Sequence, residues 1–140
     1  MSRIFWDSNL FIYLFENNPQ YAQLVEDIYK RMLERCDQLL TSTLTLGEVL
    51  AKPTAMGDDS TCQEYERALS STAVLIPFDT NVARRYAVVR ATTSIKGPDA
   101  VQLACASEAQ VDLFITNDNH LKGRKIDGIQ FIVALDQVPL

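Results

Sequence analysis

Four acidic residues, each near the end of a predicted strand or the start of a predicted helix, suggest the chemistry of this chain. They are Asp7, Glu48, Asp99 and Asp118. Carboxylate oxygens without His or Cys partners suit a hard cation such as Mg²⁺ or Mn²⁺. Two carboxylates about 5 Å apart repel each other by roughly 3 kcal/mol at an effective dielectric near 20, so four in one pocket require cations or protons. Such ions activate water and stabilise the leaving oxygen in phosphoryl displacement.

Each of these acids also has a structural alternative. Asp7 could cap the helix that follows it. Glu48 could close a capping box with Thr45. Asp99 in a first helical turn would be favoured by the helix dipole, and Asp118 could be a turn residue. Taken singly, each acid fits the structural role at least as well as the chemical one, and only their joint placement favours a site.

The elements that must position the acids are short apolar strands separated by helices. Strands are predicted at 3–6, 39–43, 74–77, 113–116 and 131–133, and helices at 10–15, 20–38, 45–51, 61–69, 79–92 and 97–109. Wholly apolar strands between helices imply a parallel sheet that is covered on both faces. We therefore expect an α/β fold, a three-layer α/β/α sandwich with a central, mostly parallel sheet. A single domain spanning 1–140 is expected, with 53–60 as its most flexible loop.

Three of the acids are expected at the same edge of that sheet. Asp7 directly follows the first strand, Asp118 follows the fourth, and Glu48 lies about one turn into the helix after the second. Function gathers outside the carboxyl ends of the strands in open parallel sheets. The edge of the sheet at which Asp99 lies does not follow from its place in the chain, because we expect a helix that precedes a strand to begin at the edge opposite to the other acids. Asp99 joins the others only if the helix pair 79–109 folds back at the Gly97-Pro98 break.

Composition excludes several classes of protein. The chain has 140 residues, of which 47% are apolar and 22% charged, as in ordinary globular proteins. It has no apolar run of about 18 residues, so no membrane span is expected. Because Asp7 and Glu16 interrupt the apolar N-terminal stretch, we interpret that stretch as part of the fold and not as a signal peptide. Three widely spaced cysteines form neither a disulfide framework nor a zinc pattern, which favours a cytoplasmic location.

The net charge does not decide the partner. A charge of −5 counts against a generic nucleic-acid binder, which is usually basic. If four carboxylates hold cations, 14 acids remain against 13 bases. Two basic groups could contact phosphate or could simply be solvated; they are Lys122, Arg124 and Lys125, and Arg84, Arg85, Arg90 and Lys96.

A single histidine, His120, excludes a ribonuclease mechanism that uses two imidazoles. We expect His120 to be a solvent-facing turn residue, with substrate contact as the alternative. Asn9 stands where an aspartyl-nucleophile phosphotransferase would carry its second Asp, which weakens that alternative for Asp7.

Four segments together resemble the PIN-domain ribonucleases, particularly the VapC-type toxins of prokaryotic toxin–antitoxin pairs. The segments are 4–10, 41–50, 97–100 and 115–118, and the resemblance extends from about residue 3 to residue 135. It implies that the four acids bind Mg²⁺ or Mn²⁺ and support hydrolysis of RNA, with Asp99 at the common site. The chain departs from the family pattern at Trp6, which is bulkier than usual, and at Leu121, where an aromatic residue is common.

The resemblance leads to a hypothesis for the role of each residue. Asp7, Asp99 and Asp118 would hold the cation directly or through water, and Glu48 would complete the site or orient the attacking water. Hydrogen-bond donors to these carboxylates are expected among Thr116, which we favour, and Ser8, Asn9, Thr43 and Asn119.

The resemblance also implies partners: an RNA substrate, a homodimer mate and an inhibiting antitoxin. The helix 10–15 carries Phe11, Tyr13 and Phe15, which could face such a partner or pack in the core. The main alternative function is a catalytically inactive PIN-like module that binds RNA or protein.

Overall fold

The chain builds a five-stranded sheet in the order β3-β2-β1-β4-β5, in which every pair of neighbouring strands is parallel. A computed structural model describes all residues, 1–140. The strands are β1 (Arg3–Trp6), β2 (Gln38–Ser42), β3 (Val74–Ile76), β4 (Val111–Thr116) and β5 (Ile129–Ala134). The helices are α1 (Ser8–Phe15), α2 (Ala22–Arg35), α3 (Thr43–Ala55), α4 (Asp59–Thr72), α5 (Thr80–Thr92) and α6 (Gly97–Ala109), followed by a 3₁₀ turn at Leu135–Gln137.

Helices cover both faces of the sheet, which confirms the three-layer prediction. Successive side chains of a strand point to opposite faces, so each strand contributes to two cores. On one face Phe5 and Phe114 stack with ring centroids 5.1 Å apart, beneath α5 and α6. On the other face Ile4 and Trp6 pack under α1 and α2. None of the helices is long and apolar enough to cross a membrane.

Two predicted boundaries around α3 are wrong. The helix begins at Thr43, because the Ser42 hydroxyl accepts a hydrogen bond from the Thr45 amide and caps it. It continues past Pro53, whose ring is buried, and the Met56 amide still bonds the Lys52 carbonyl. The flexible loop predicted at 53–60 is therefore not present. Only residues 56–58 separate α3 from α4, and Asp58 caps α4.

The expectation that the helix before β4 begins at the opposite edge is also wrong. A single residue, Gln110, separates α6 from β4, so α6 ends at the amino edge of the sheet, where β4 starts. At its other end, Asp99 of α6 lies within electrostatic range of Asp118, which follows β4. The helix is therefore antiparallel to the strand and begins at the carboxyl edge. Residues 93–96, which are not helical, connect α5 to α6 just before Gly97-Pro98.

Candidate active site

Asp7 is held by hydrogen bonds to both of its carboxylate oxygens. It follows β1 directly and is only 5% exposed. Its Oδ1 accepts from the Ser8 amide at 2.9 Å, so Asp7 does cap α1, and its Oδ2 accepts from Thr116 Oγ1 at 2.7 Å. Its own amide donates to the Ile115 carbonyl at 3.0 Å. The carboxylate is therefore fixed between two neighbouring strand ends, and the capping role does not occupy all of it.

Asp118 is tied to the same point through Thr116. The Asp118 amide donates to Thr116 Oγ1 at 3.0 Å, so this one hydroxyl contacts Asp7 and the backbone of Asp118. Asp118 Oδ1 accepts from the His120 amide at 2.8 Å, so Asp118 is also a turn residue. The side chain of Asp118 is half-buried. Its turn contact uses one carboxylate oxygen and leaves the other without a hydrogen bond to the backbone.

Glu48 is not part of a capping box, so that alternative is wrong. The helix cap is Ser42, which makes Thr45 the third helical residue and moves Glu48 one turn further along α3. The side chain of Glu48 is half-buried and makes no hydrogen bond or ion pair within the chain. Its negative charge raises the pKa of both Asp7 and Asp99, so its carboxylate lies within electrostatic range of both.

Asp99 lies in the first turn of α6 and is half-buried. Burial raises the pKa of Asp99 above its usual value, and the nearby charge of Asp118 and a hydrogen bond between the two carboxyl groups raise it further. The charge of Glu48 acts in the same direction, whereas His120 lowers the pKa. Asp99 therefore lies within electrostatic range of Asp118, Glu48 and His120.

Asp7 shows the electrostatic cost of this arrangement. The pKa of Asp7 is raised from the ordinary 3.8 to about 6, chiefly by burial. The charges of Asp99 and Glu48 contribute to this rise, and the hydrogen bonds from Thr116 and Ser8 oppose it. None of the four acids forms an ion pair with Lys, Arg or His. The acids form a negatively charged group that has no ion-pair partner.

The donor set fits a divalent cation by its chemistry. The four acids offer only oxygen atoms and form no ion pair, and nearby carboxylates raise the pKa of Asp7 and of Asp99, an effect that a hard cation would reverse. No group of three or more acidic, His or Cys side chains lies close enough in this structure to hold an ion as it stands. The carboxylates would therefore have to draw closer around a bound ion.

The four other residues that were predicted to donate hydrogen bonds to the acidic side chains lie in surroundings unlike that of Thr116. The backbone of Ser8, and not its hydroxyl, bonds Asp7. Asn9 Oδ1 is buried without a hydrogen-bond partner. Thr43 is exposed at the first position of α3, and Asn119 is exposed in the turn after Asp118.

A buried hydrogen-bond network that the sequence analysis missed joins the elements that carry the acids. Gln102 of α6 is 1% exposed; its Nε2 donates to Thr45 Oγ1 at 2.8 Å, and its Oε1 accepts from the Ser42 hydroxyl. The Thr45 hydroxyl contacts that of Thr41 at 2.8 Å, and Thr41 donates to the Trp6 carbonyl at 2.9 Å. The network fixes the start of α6 against the start of α3 and the end of β1. Its signal in the sequence was a glutamine on the buried face of an Ala-rich helix, three residues after Asp99.

The aromatic residues of α1 pack within the chain. Phe11 is buried beside Trp6 with ring centroids 5.0 Å apart, and Phe15 stacks on Tyr65 at 4.9 Å. Tyr13 packs against Tyr21 and its hydroxyl accepts from Asn117 Nδ2. The core-packing alternative therefore accounts for all three rings.

Comparison with known proteins agrees with this architecture. The PIN domain family model matches residues 4–126. No curated protein sequence matches the chain. Among solved structures, a toxin–antitoxin complex from Klebsiella pneumoniae is similar at 25% identity and a TM-score of 0.65, over 90% of this chain and 94% of that one.

Two further solved structures share the fold at lower identity. VapBC2 from Rickettsia felis, bound to a DNA fragment from its promoter, has 13% identity and a TM-score of 0.75 over 94% of this chain and 98% of that one. DNA-bound VapBC from Salmonella typhimurium has 19% identity and a TM-score of 0.71 over 96% and 99%.

Proposed function

This chain belongs to the PIN domain family, and we propose that it is a Mg²⁺- or Mn²⁺-dependent endoribonuclease, the toxin of a toxin–antitoxin pair. One observation carries the proposal. Asp7, Glu48, Asp99 and Asp118 come from four segments of the chain and form no ion pair, and the charges of neighbouring acids raise the pKa of Asp7 and of Asp99. A purely structural role for these acids would not require this mutual repulsion.

Each acid has a separate task in the proposal. Asp7, Asp99 and Asp118 hold the cation directly or through water, and Glu48 completes the site or orients the attacking water. Thr116 keeps the Asp7 carboxylate in one orientation through its 2.7 Å hydrogen bond. The ion, when bound, supplies positive charge for the scissile phosphate and lowers the pKa of water.

The proposal specifies the products. No side chain at the site is a nucleophile, and the single imidazole, His120, is exposed. Attack by water on phosphorus leaves a 5′-phosphate and a 3′-hydroxyl. A 2′,3′-cyclic phosphate would instead identify the ribose hydroxyl as the nucleophile and contradict this step.

The proposed partners follow from the fold and the charge of the site. The similar structures from Klebsiella, Rickettsia and Salmonella are complexes of a toxin with an antitoxin or of VapBC with DNA. An antitoxin for this chain would place a basic side chain at the acidic group, because opposite charge neutralises the carboxylates. The proposal also includes a homodimer that works in the cytoplasm, where its RNA substrate is found.

The decisive experiment is cleavage of total cellular RNA with Mn²⁺, with Mg²⁺ and with a chelator. Cleavage is expected only with a divalent ion, and Asp7→Asn and Glu48→Gln should abolish it. Asp59→Asn and Glu66→Gln are matched controls, because both side chains are exposed on α4 and form no ion pair, and these variants should cleave normally.

Retained RNA binding without cleavage under any of these conditions, together with a melting temperature that Mn²⁺ does not change, would favour the inactive binding module.

A further inference from the structure

The loop after Asp118 carries a basic patch without acidic partners. Lys122, Arg124 and Lys125 are all exposed, and none forms an ion pair. Arg124 Nε donates to the His120 carbonyl at 3.1 Å, which anchors the side chain and leaves the ends of the guanidinium free. In a chain with a net charge of −5, three unpaired cations in four positions indicate an anionic partner.

This loop runs along the open edge of β5, starting from the acidic site. The Gly123 amide donates to the Ile132 carbonyl at 3.1 Å, and Ile126 forms an antiparallel bridge with Ile129. Leu121 is fully buried and fixes the loop to the core. Lys125 follows Asp118 by seven residues, so the length of the chain limits the distance between them to roughly 25 Å. The cations therefore form a line that leads away from the acids along one side of the sheet.

An exposed aromatic ring lies beside these cations. Phe131 of β5 is 61% exposed and stacks on no other aromatic ring of the chain. Together with Arg124 and Lys125 it lines an open groove of about 430 Å³. The groove also contains Asp127, whose nearest basic partner is Arg85 at 4.0 Å. A free ring in the same groove as two cations suits a nucleobase, since aromatic stacking and phosphate contacts together bind single strands.

We propose that Lys122, Arg124, Lys125 and Phe131, which together form the basic strip, bind a single-stranded segment of RNA that continues from the acidic site. The cations contact phosphates, and one base stacks on Phe131. This inference rests on the proposed function for its choice of RNA. His120 joins the two regions, because its amide donates to Asp118 Oδ1 and its carbonyl accepts from Arg124 Nε. An acidic protein segment would use the cations but would have no need of the free ring.

Binding of a fluorescent single-stranded RNA of about twelve nucleotides, measured by anisotropy in chelator, tests the basic strip without cleavage. Arg124→Gln/Lys125→Gln is compared with Lys30→Gln/Arg67→Gln, which removes the same charge from exposed residues of α2 and α4. The strip variant should bind about tenfold more weakly near 0.1 M salt, and the slope of log K against log salt should be smaller by roughly 0.7 for each phosphate that is no longer neutralised. The control should bind within about twofold of the wild type.

Phe131 provides an independent arm of the test. Phe131→Ala should weaken binding about fivefold or more without changing the salt slope, because stacking releases no counterions. Phe131→Trp keeps a stacking surface and should restore the affinity. Melting temperatures close to that of the wild type would show that these exposed substitutions leave the fold intact.

Equal RNA affinity of the wild type and Arg124→Gln/Lys125→Gln overturns the inference and leaves an acidic protein segment as the occupant of the basic strip. The outcome is separable from that of the nuclease proposal. Loss of binding in the strip variants with no cleavage by the wild type supports the strip and refutes the nuclease. Normal RNA binding by the strip variants, together with cleavage by the wild type, supports the nuclease and refutes the strip.

Discussion

The hydroxyl of Thr116 lies 2.7 Å from Asp7 Oδ2 and donates a hydrogen bond to it, at a point where both residues are buried. The same hydroxyl oxygen accepts from the Asp118 amide at 3.0 Å, so one side chain sets the relative position of two acids. Thr116 ends β4 and Asp7 follows β1, its neighbour in the sheet. The arrangement follows directly from the parallel pairing of these strands, which brings their carboxyl ends together.

Thr116→Val should weaken binding of Mn²⁺ about 10- to 100-fold, because Asp7 loses the group that orients it. It should also lower the free energy of unfolding by about 1–3 kcal/mol, since a buried carboxylate oxygen loses its partner. Thr116→Ser keeps the hydroxyl and should restore most of the affinity. Mn²⁺ titration followed by calorimetry measures this, and equal affinities for the Val and Ser variants would contradict an orienting role.

The sequence predicted the parts of this site that depend on local order. Asp7 and Asp118 are adjacent to apolar strands, so the sheet edge determines their position. The position of Asp99 depended on the direction of α6, which only the one-residue connection at Gln110 decides. The start of α3 could not be predicted, because hydroxyl residues at 41, 42, 43 and 45 are all possible caps. Contacts with Gln102, which is distant in sequence, select Ser42 among them.

Removal of the charge of Asp7 should stabilise the protein when no divalent ion is present. The pKa of Asp7 is about 6 in the folded chain, against 3.8 as its ordinary value. The unfolded chain therefore loses this proton first as the pH rises, and the stability falls between about pH 4 and pH 6 by up to about 3 kcal/mol. Asp7→Asn should lack this fall and be about 1–3 kcal/mol more stable at pH 7.

Urea unfolding at pH 4, 5, 6 and 7 in chelator measures this effect, with Asp127→Asn as the control. At pH 7, saturating Mn²⁺ should make the wild type more stable than Asp7→Asn, because an ion that binds only the folded wild type stabilises it. A wild-type stability that stays flat from pH 4 to pH 7 would refute the burial of an uncompensated charge at Asp7.

Gln102→Leu tests the network that joins α6 to α3. The substitution leaves the Ser42 hydroxyl without its acceptor and Thr45 Oγ1 without its donor, so a loss of about 1–3 kcal/mol in stability is expected. It should also reduce the rise in melting temperature that Mn²⁺ produces, because Asp99 and Glu48 lose their common support. Ile28→Val, a buried change in α2 that costs about 1 kcal/mol, is the control and should keep the full Mn²⁺ response. An undiminished response in Gln102→Leu would limit the network to a role in folding.

Asp99 and Asp118 should show strong coupling when their charges are removed. The charge of Asp118 raises the pKa of Asp99, so in chelator each ionised carboxylate destabilises the other. Asp99→Asn and Asp118→Asn should each raise the stability, because either change removes the repulsion. The double variant should gain less than the sum of the two, with a coupling of about 0.5 kcal/mol or more in urea unfolding. Additive effects in chelator would show that the two carboxylates do not interact, which would remove one side of the proposed cation site. With Mn²⁺ present, Asp99→Asn and Asp118→Asn should each lower the stability, because each variant then lacks a ligand that the bound ion needs.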